Sequence, residues 1–501
     1  MSTFFVYLPS ILPGNPRLFL STSKCLRRAP SRATVSSQPF DSNPRSTRST
    51  LPITSPTTSP LIPTTSPGGP LYDVAVIGAG PAGLSLAAAL CDQGVSVLIL
   101  DGALHKPWPN HYGVWYDEFA EVGLEECATA MYGRTAVYAG EEKIVLDRGY
   151  LRVDRVKLKM ELIRRCQRGG VDMEQAMVRD VEFVGENESN VCFENERGDY
   201  KRVRTRLVVD CTGHALSFTE QQKQESYAEP WEQAAYGIEA EVESYPYDKD
   251  EMLLMDFRDK HMQGEERLRK MSEERPTFLY VFPSGEKRGF FEETSVIAKK
   301  AVPFEELKER LYLRLAHDGV KVKRVIEEER SLIPMGGSLP RRGQRVVGFG
   351  GAACLVHPAT GYMVARTVKL AGKVAECIAQ GQREGLSGRA VSERVWRMTW
   401  SLKLRRQRDF LKFGAELLGI LNMEQSRRFF EGFFGLPEEL WKKFLGFELD
   451  EAGDRIFFAV YFFAIASWEI RLSLLRGIAE IGRWTLIRSA LPVWMSSLDE
   501  S

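Results

Sequence analysis

The sequence predicts an α/β fold in three parts: a Rossmann-like dinucleotide-binding domain, an antiparallel-sheet domain set into it, and a helical C-terminal region. A glycine-turn βαβ half-unit spans residues 72–101, and apolar and polar residues alternate with period two across 231–300. After Val395 the chain is helix-rich, with Phe and Trp clustered at 410–468. A length of 501 residues accommodates two or three domains. Lys plus Arg and Asp plus Glu are equal at 67 each, so no net field draws the protein to nucleic acid.

Residues 1–70 form a separate N-terminal segment. They are rich in Ser, Thr and Pro and carry Arg17, Lys24, Arg27, Arg28, Arg32, Arg45 and Arg48 against a single acid, Asp41. That composition is expected of an organelle transit peptide, followed by a proline-rich linker over Pro52–Pro70. The eight cysteines are scattered, without CxxC or Cys/His ligand spacing, which fits a reducing compartment and no metal site. No stretch reaches the roughly 18 to 20 apolar residues of a spanning helix. The longest apolar run, Ile456–Trp468, is shorter, so the expectation is a protein lying on a membrane surface and not crossing it.

In the half-unit, Val74–Ile77 reads as a strand, Pro81–Leu90 as a helix and Val95–Leu100 as a second strand ending on Asp101. Gly78 permits the turn, Gly80 removes a side chain that would block a pyrophosphate, and Gly83 lets helix and strand pack closely. The helix start at Pro81 and Ala82 turns free N–H groups and a partial positive charge toward the phosphates. Asp101 stands about 20 residues beyond the glycines, where a carboxylate can take ribose hydroxyls.

Further on, WPNHYGVWYDEF opens residues 108–170 as an aromatic, amide-rich loop followed by short strands. Tyr150–Cys166 reads as a turn into an amphipathic helix, and Val171–Val209 as short strands. Leu207–Gly213 (LVVDCTG) is an apolar strand entering a glycine turn at Gly213; it resembles the strand-turn that lies against the cofactor in FAD-dependent proteins of the two-dinucleotide fold. Residues 231–300 alternate as an antiparallel sheet. Phe304–His317 is an amphipathic helix, and Arg345–Gln380 a strand, a glycine turn and a long helix.

Several motifs in one order now carry a family resemblance: NHYGVWYDEF (110–119), PTFLYVFP (276–283), FFEETS (290–295), IPMGGSLP (333–340) and VHPATGYMVART (356–367). The chain from about Leu71 to about Trp494 resembles the plant and algal lycopene cyclases, a branch of the FAD-dependent flavoproteins. The resemblance implies an FAD-binding domain over 71–230 with 331–385, an antiparallel-sheet substrate domain over 231–330, and a helical, membrane-associating region over 386–501. It implies a plastid location, lycopene as substrate, reduced FAD in a non-redox role with NADPH as reductant, and a place beside other carotenoid-pathway enzymes. Gly350, Gly351, His357 and Gly361 then fall near the cofactor. The Gly350-Gly351-Ala352-Ala353 stretch lacks the ribose-binding Asp usual in flavin hydroxylases, as lycopene cyclases do.

Lycopene cyclisation adds a proton to a terminal C=C, closes a ring through a carbocation and loses a proton. It calls for a buried acid, a base and an aromatic wall. Glu292 and Glu293 are the candidate acid and base. Neighbouring strand side chains point to opposite faces, so the two are not expected in one pocket. The resemblance favours Glu292 as the essential carboxylate, with Glu293 as supporting base or structural acid. Phe290 and Phe291 are expected to wall the acid and raise its pKa. Tyr112, Trp115, Tyr280 and Phe291 are candidate cation–π partners. The basic run 405–410 (RRQRDF), beside aromatic helices, reads as an interfacial membrane face. Ring type leans to ε: FFEET, VPFEELKERL, GGSLP, VHPATGY and LWKKFLGFEL look ε-like, while WPNHYGVWYDEF and IPMGG look β-like. The alternatives are a β or dual cyclase, then an FAD-dependent monooxygenase or polyprenyl reductase, then a non-catalytic prenyl-lipid binding protein.

Overall fold

Leu71–Ile77 (β1), Pro81–Asp92 (α1) and Val97–Asp101 (β2) form the expected half-unit. The structure, a computed structural model, describes residues 70–222 and 230–491, without side chains for 481–485. The expected transit segment and almost all of its linker lie outside the described residues. β1 pairs in parallel with β2 on one side and with Tyr200–Asp210 on the other. Its Val74 and Val76 pack into the main core, and Ala75 and Ile77 into a second cluster on the opposite face. Burial on both faces is why this strand is a continuous apolar run with no alternation.

The parallel order runs Asp172–Val184, β2, β1, Tyr200–Asp210, Val346–Gly348. Glu188–Asn195 pairs antiparallel with both long strands, Asp172–Val184 and Tyr200–Asp210. The helices Arg155–Gly169 and Val364–Arg383 pack against α1. Asp154 caps the first, accepting from Val156 and Lys157 N–H, and Gly170 ends it with φ +78°. Between Val346–Gly348 and Val364–Arg383 the chain makes a 3₁₀ turn, Gly350–Ala353, and a ten-residue loop, so the long helix does not follow the glycine turn directly.

The second sheet has seven strands, in the order Val322–Met335, Trp231–Val242, Arg288–Ser295, Thr277–Pro283, Glu251–Asp256, Arg134–Tyr138 and Ile144–Leu146. Its pairs are antiparallel as expected, except that Glu251–Asp256 runs parallel to Arg134–Tyr138. Those last two strands come from the stretch assigned to the dinucleotide domain, so that stretch lends the second sheet an edge. One face of the sheet is covered by the helix Phe304–His317, through Leu307, Leu311 and Leu315 against Leu279, Val281 and Phe291. The other face, carrying Tyr280, Phe282 and Phe290, merges into the main core. A small sheet of Tyr112–Trp115, Tyr150–Val153 and Ala128–Tyr132 lies there. An added Cβ on its Gly113 would stand 2.4 Å from Tyr280 Oη and 2.7 Å from the Phe282 ring.

From Gly388 the described chain is helical. Among the described residues no helix is long and apolar enough to cross a membrane. The basic run corrects the sequence reading: on Leu402–Leu418, Arg406, Gln407, Arg408 and Asp409 are all buried. Arg406 donates to Leu491 O, and Arg408 donates to Gly337 O and lies over Trp400. These cations bind helix ends and loops inside the protein, so no membrane face lies there.

Candidate active site

The glycine turn is shaped for a phosphate. Gly78 has φ +106°, and a Cβ there would meet Cys211 O at 2.6 Å. A Cβ on Gly83 would lie 1.9 Å from Gly78 O, which shows how closely α1 packs on the turn. A Cβ on Gly80 would meet nothing within 4 Å, so the space before the helix is open. α1 has Pro81 in its first turn and no side-chain cap, leaving the N–H groups of Ala82 and Gly83 for an anion. Asp101 Oδ2 accepts from Ala79 N at 2.7 Å and Oδ1 from Ala103 N at 2.6 Å, so the carboxylate braces the turn. Trp108 Nε1 donates to Ala79 O from the other side.

Two further turns converge on this place. Gly213 has φ +73° and Gly350 φ +65°. A Cβ on Gly351 would stand 2.9 Å from Gly213 Cα, and one on Gly350 would stand 2.7 Å from Ala82 Cβ. His214 beside them has a buried, unpartnered Nε2, and burial lowers its pKa to about 4. Open space at Gly80, an uncapped helix start and an orphaned ring nitrogen fit a dinucleotide such as FAD. His357, expected at the cofactor, instead has both nitrogens occupied. Nε2 donates to Phe444 O at 2.8 Å, and Nδ1 accepts from Ala359 and Thr360 N–H at 3.2 and 3.1 Å. Burial lowers its pKa to about 3, so it is a neutral brace of the 357–362 loop. Gly361 in that loop has φ +74°, a left-handed turn that favours glycine.

Glu292 and Glu293 part company at the strand Arg288–Ser295. Glu293 faces the helix Phe304–His317: Arg314 Nε donates to Oε2 at 2.9 Å and Nη2 to Oε1 at 3.0 Å, and Thr277 Oγ1 adds a third bond. This is a fully buried ion pair inside the sheet–helix core. Glu292, 1% exposed, faces the opposite side, across from Tyr280 on one neighbouring strand and Gly237 on the other. Thr294 Oγ1 donates to its Oε1 at 2.8 Å. The expectation for Phe291 is corrected by the same alternation. It shares the Glu293 face, packed on Tyr245 and Tyr247, and Phe290 is the ring beside Glu292. Gly237 leaves the room: a Cβ there would strike the Phe290 ring at 2.5 Å.

Around Glu292 the face is aromatic and polar together. Tyr280 Oη and Tyr150 Oη are 3.4 Å apart, Tyr150 meets Trp115 edge-on at 4.9 Å, and Trp115 stacks on Tyr362 at 6.5 Å. Burial, then Tyr150 and Glu292, hold the Tyr280 phenol well above its usual pKa. Tyr112 is buried on the small sheet against Trp108. Arg148 lies 4.4 Å over the Trp115 ring and pairs with Asp117 at 2.9 Å and Glu118 at 3.0 Å. Burial, partly opposed by Arg148, raises the Glu118 pKa to about 7.

The strand register also brings in a carboxylate with no local sequence signal. Gly237 pairs with Glu292 on one side and Glu329 on the other, so both acids share the face, about 10 Å apart along the hydrogen-bonding direction. Glu329 accepts from His111 N at 3.1 Å and lies 2.7 Å from His111 Nδ1; Asn110 Nδ2 donates to it at 3.2 Å. The His111 ring covers Phe290 at 4.5 Å. Glu329 sits in a run of three glutamates, where only the sheet register picks out the inward one.

A family model described as lycopene cyclase protein matches residues 73–472. The chain belongs to the lycopene cyclase family. It is 41% identical over 407 residues to lycopene beta cyclase of an Oncidium hybrid cultivar, covering 81% of this chain and 83% of that protein. Lycopene beta cyclase of Arabidopsis thaliana is 39% identical, covering 81% and 80%. Capsanthin/capsorubin synthase of Citrus sinensis is 42% identical, covering 76% and 75%. The lean toward ε finds no support in these relatives, which favour the β alternative. Among solved structures, a geranylgeranyl bacteriochlorophyll reductase-like protein from Thermoplasma acidophilum shares the fold with TM-score 0.58 at 14% identity, covering 83% of this chain and 98% of that one. OxyS anhydrotetracycline hydroxylase from Streptomyces rimosus does so at 0.52 and 17%, covering 78% and 75%. At such identities the likeness is one of fold alone. The fold of this chain is thus one shared with a reductase-like protein and a hydroxylase.

Proposed function

We propose that this protein is a plastid lycopene cyclase forming β-rings, with Glu292 as its proton donor. The observation that carries the reading is a buried carboxyl, Glu292, set among the aromatic rings of Tyr280 and Phe290 on the sheet face turned toward the dinucleotide domain. Glu292 gives its proton to the terminal C=C of lycopene, forming a C–H bond. A neighbouring double bond attacks the cation and closes the ring. A ring proton then returns to the Glu292 carboxylate, so the acid is regenerated and no electrons are gained or lost. Tyr280, Phe290 and Tyr150 offer ring faces to the cation, whereas the Trp115 ring is already taken by Arg148 and Tyr362. Glu293 orients the strand through Arg314 and takes no proton from substrate.

The turns at Gly78–Gly83, Gly213 and Gly350–Gly351 would hold FAD. Bound there in its reduced form, with NADPH as the reductant, the flavin would supply negative charge favouring the cationic transition state without redox change. Trp468, Leu472 and Leu475 on Trp468–Gly477, with Ile456, Phe457 and Val460 on the preceding helix, are exposed apolar side chains. They form the surface that docks on a plastid membrane, from which a carotenoid must come. Expression in a lycopene-accumulating bacterial host tests the reading. Chromatography should show γ- and β-carotene. δ- or ε-carotene would make the protein an ε-cyclase, and unchanged lycopene with folded, FAD-loaded protein would overturn the cyclase reading.

A further inference from the structure

Beneath the helix Ala452–Ile465 lies a cavity of about 130 Å³ sleeved by phenylalanines of the C-terminal helices. At its outer end stand Ala459 and Phe463, both exposed and on the same helix as Ile456, Phe457 and Val460. At its inner end stand Leu254 and Met255 of the second sheet, and Ala359 and Thr360 of the 357–362 loop. Thr360 is the one polar residue among the described lining; its hydroxyl accepts from Tyr362 N–H at 3.2 Å and its N–H donates to His357. Among the described residues no charged side chain lines the cavity, so these walls suit an apolar ligand. The same loop continues to Tyr362, which stacks on Trp115 and so joins the aromatic face that leads through Tyr150 and Tyr280 to Glu292. The cavity therefore lies between the exposed apolar surface and the loop bordering the catalytic face.

We propose that this cavity is the passage by which the hydrocarbon end of the polyene leaves the bilayer and reaches the Glu292 face. The inference rests on the cyclase reading above. Its size decides what it holds: apolar cavities of about 150 Å³ take up benzene, so this one accommodates an end group and not a whole polyene. The end advances past Ala359–Thr360 while the rest of the chain stays in lipid, which suits a reaction confined to the ends of the molecule.

Plugging the passage tests this. Ala459→Trp puts a large ring at the exposed mouth, and Gly414→Leu fills the interior, where an added Cβ already stands 3.7 Å from the Phe444 ring. The full-length holoprotein is mixed with phosphatidylglycerol-containing vesicles carrying lycopene, and initial rates of ring formation are measured beside vesicle sedimentation, FAD absorbance and melting temperature. The expected result is at least a tenfold loss of rate in both variants at unchanged sedimentation and FAD content. Ala459→Trp within twofold of wild type, folded and vesicle-bound, would overturn the passage even if Gly414→Leu misfolds. Absence of rings from the wild-type protein would instead strike the cyclase reading.

Discussion

Glu292 and Glu293 differ by one residue and by almost everything else. Substituting Glu292 by Gln leaves a hydrogen-bonding group of the same shape beside Thr294, so we expect ring formation to fall by at least a hundredfold while melting temperature and FAD content hold. Arg314→Ala leaves the Glu293 charge buried without its cation, a loss of about 3–5 kcal/mol. Its melting temperature should fall by many degrees, a result that calorimetry of the two variants side by side would separate. Glu118 gives a pH dependence. Its folded pKa of about 7 stands above the ordinary 4.5 because its side chain is largely buried, so the folded chain holds this proton more tightly than the unfolded one. Stability from this group is fully present below pH 4.5 and is lost as pH rises through 7, on the order of 3 kcal/mol. Glu118→Gln should flatten that loss. Wild type should lose more melting temperature than the variant between pH 5 and pH 8, and equal losses would refute the assignment.

At the level of elements, the helix pair Ala452–Ile465 and Trp468–Gly477 stands apart, because its outward apolar residues repeat at helical spacing and are exposed among the described residues. Val460 is 63% exposed, Trp468 69% and Leu472 59%. Burying one such side chain in lipid contributes about 1.5–3 kcal/mol, so Trp468→Ala with Leu472→Ala should weaken vesicle binding roughly a hundredfold. Cosedimentation with lipid vesicles measures this, and unchanged binding would remove these helices as the docking face. The basic run at 405–410 teaches the complementary lesson. Its charges and neighbouring Phe residues match an interfacial helix by composition, yet Arg406 and Arg408 reach inward to backbone carbonyls. Long cationic side chains are read from sequence as solvent-facing, and only packing shows otherwise.

Across the whole molecule, the proposed cofactor site draws on Gly78–Gly83, Gly213 and Gly350–Gly351, from the beginning, middle and later part of the described chain. A dinucleotide bound there ties these segments together, and at a hundredfold excess over its Kd stabilises the folded state by about 2.7 kcal/mol. Gly80→Ala should retain the apoprotein's melting temperature, since the new methyl meets no protein atom, but lose the rise on adding FAD. Gly83→Ala should melt lower even without FAD, because its methyl would overlap Gly78 O. Thermal melts with and without FAD decide both, and a full FAD-induced rise in Gly80→Ala would contradict the pyrophosphate assignment.

The sequence by itself determined the local units: the glycine-turn half-unit, the helix Phe304–His317, the alternating strands and the opposite facing of the two glutamates. Each depends on turn chemistry or on periodicity within a few residues, and so survives without knowledge of partners. Tertiary structure alone decided which side of a strand becomes a site. It gave Glu293 to Arg314, brought Glu329 onto the Glu292 face through Gly237, and spent both nitrogens of His357 on backbone. Those outcomes are settled by pairing register and by helices that arrive from far along the chain, and no local pattern encodes them.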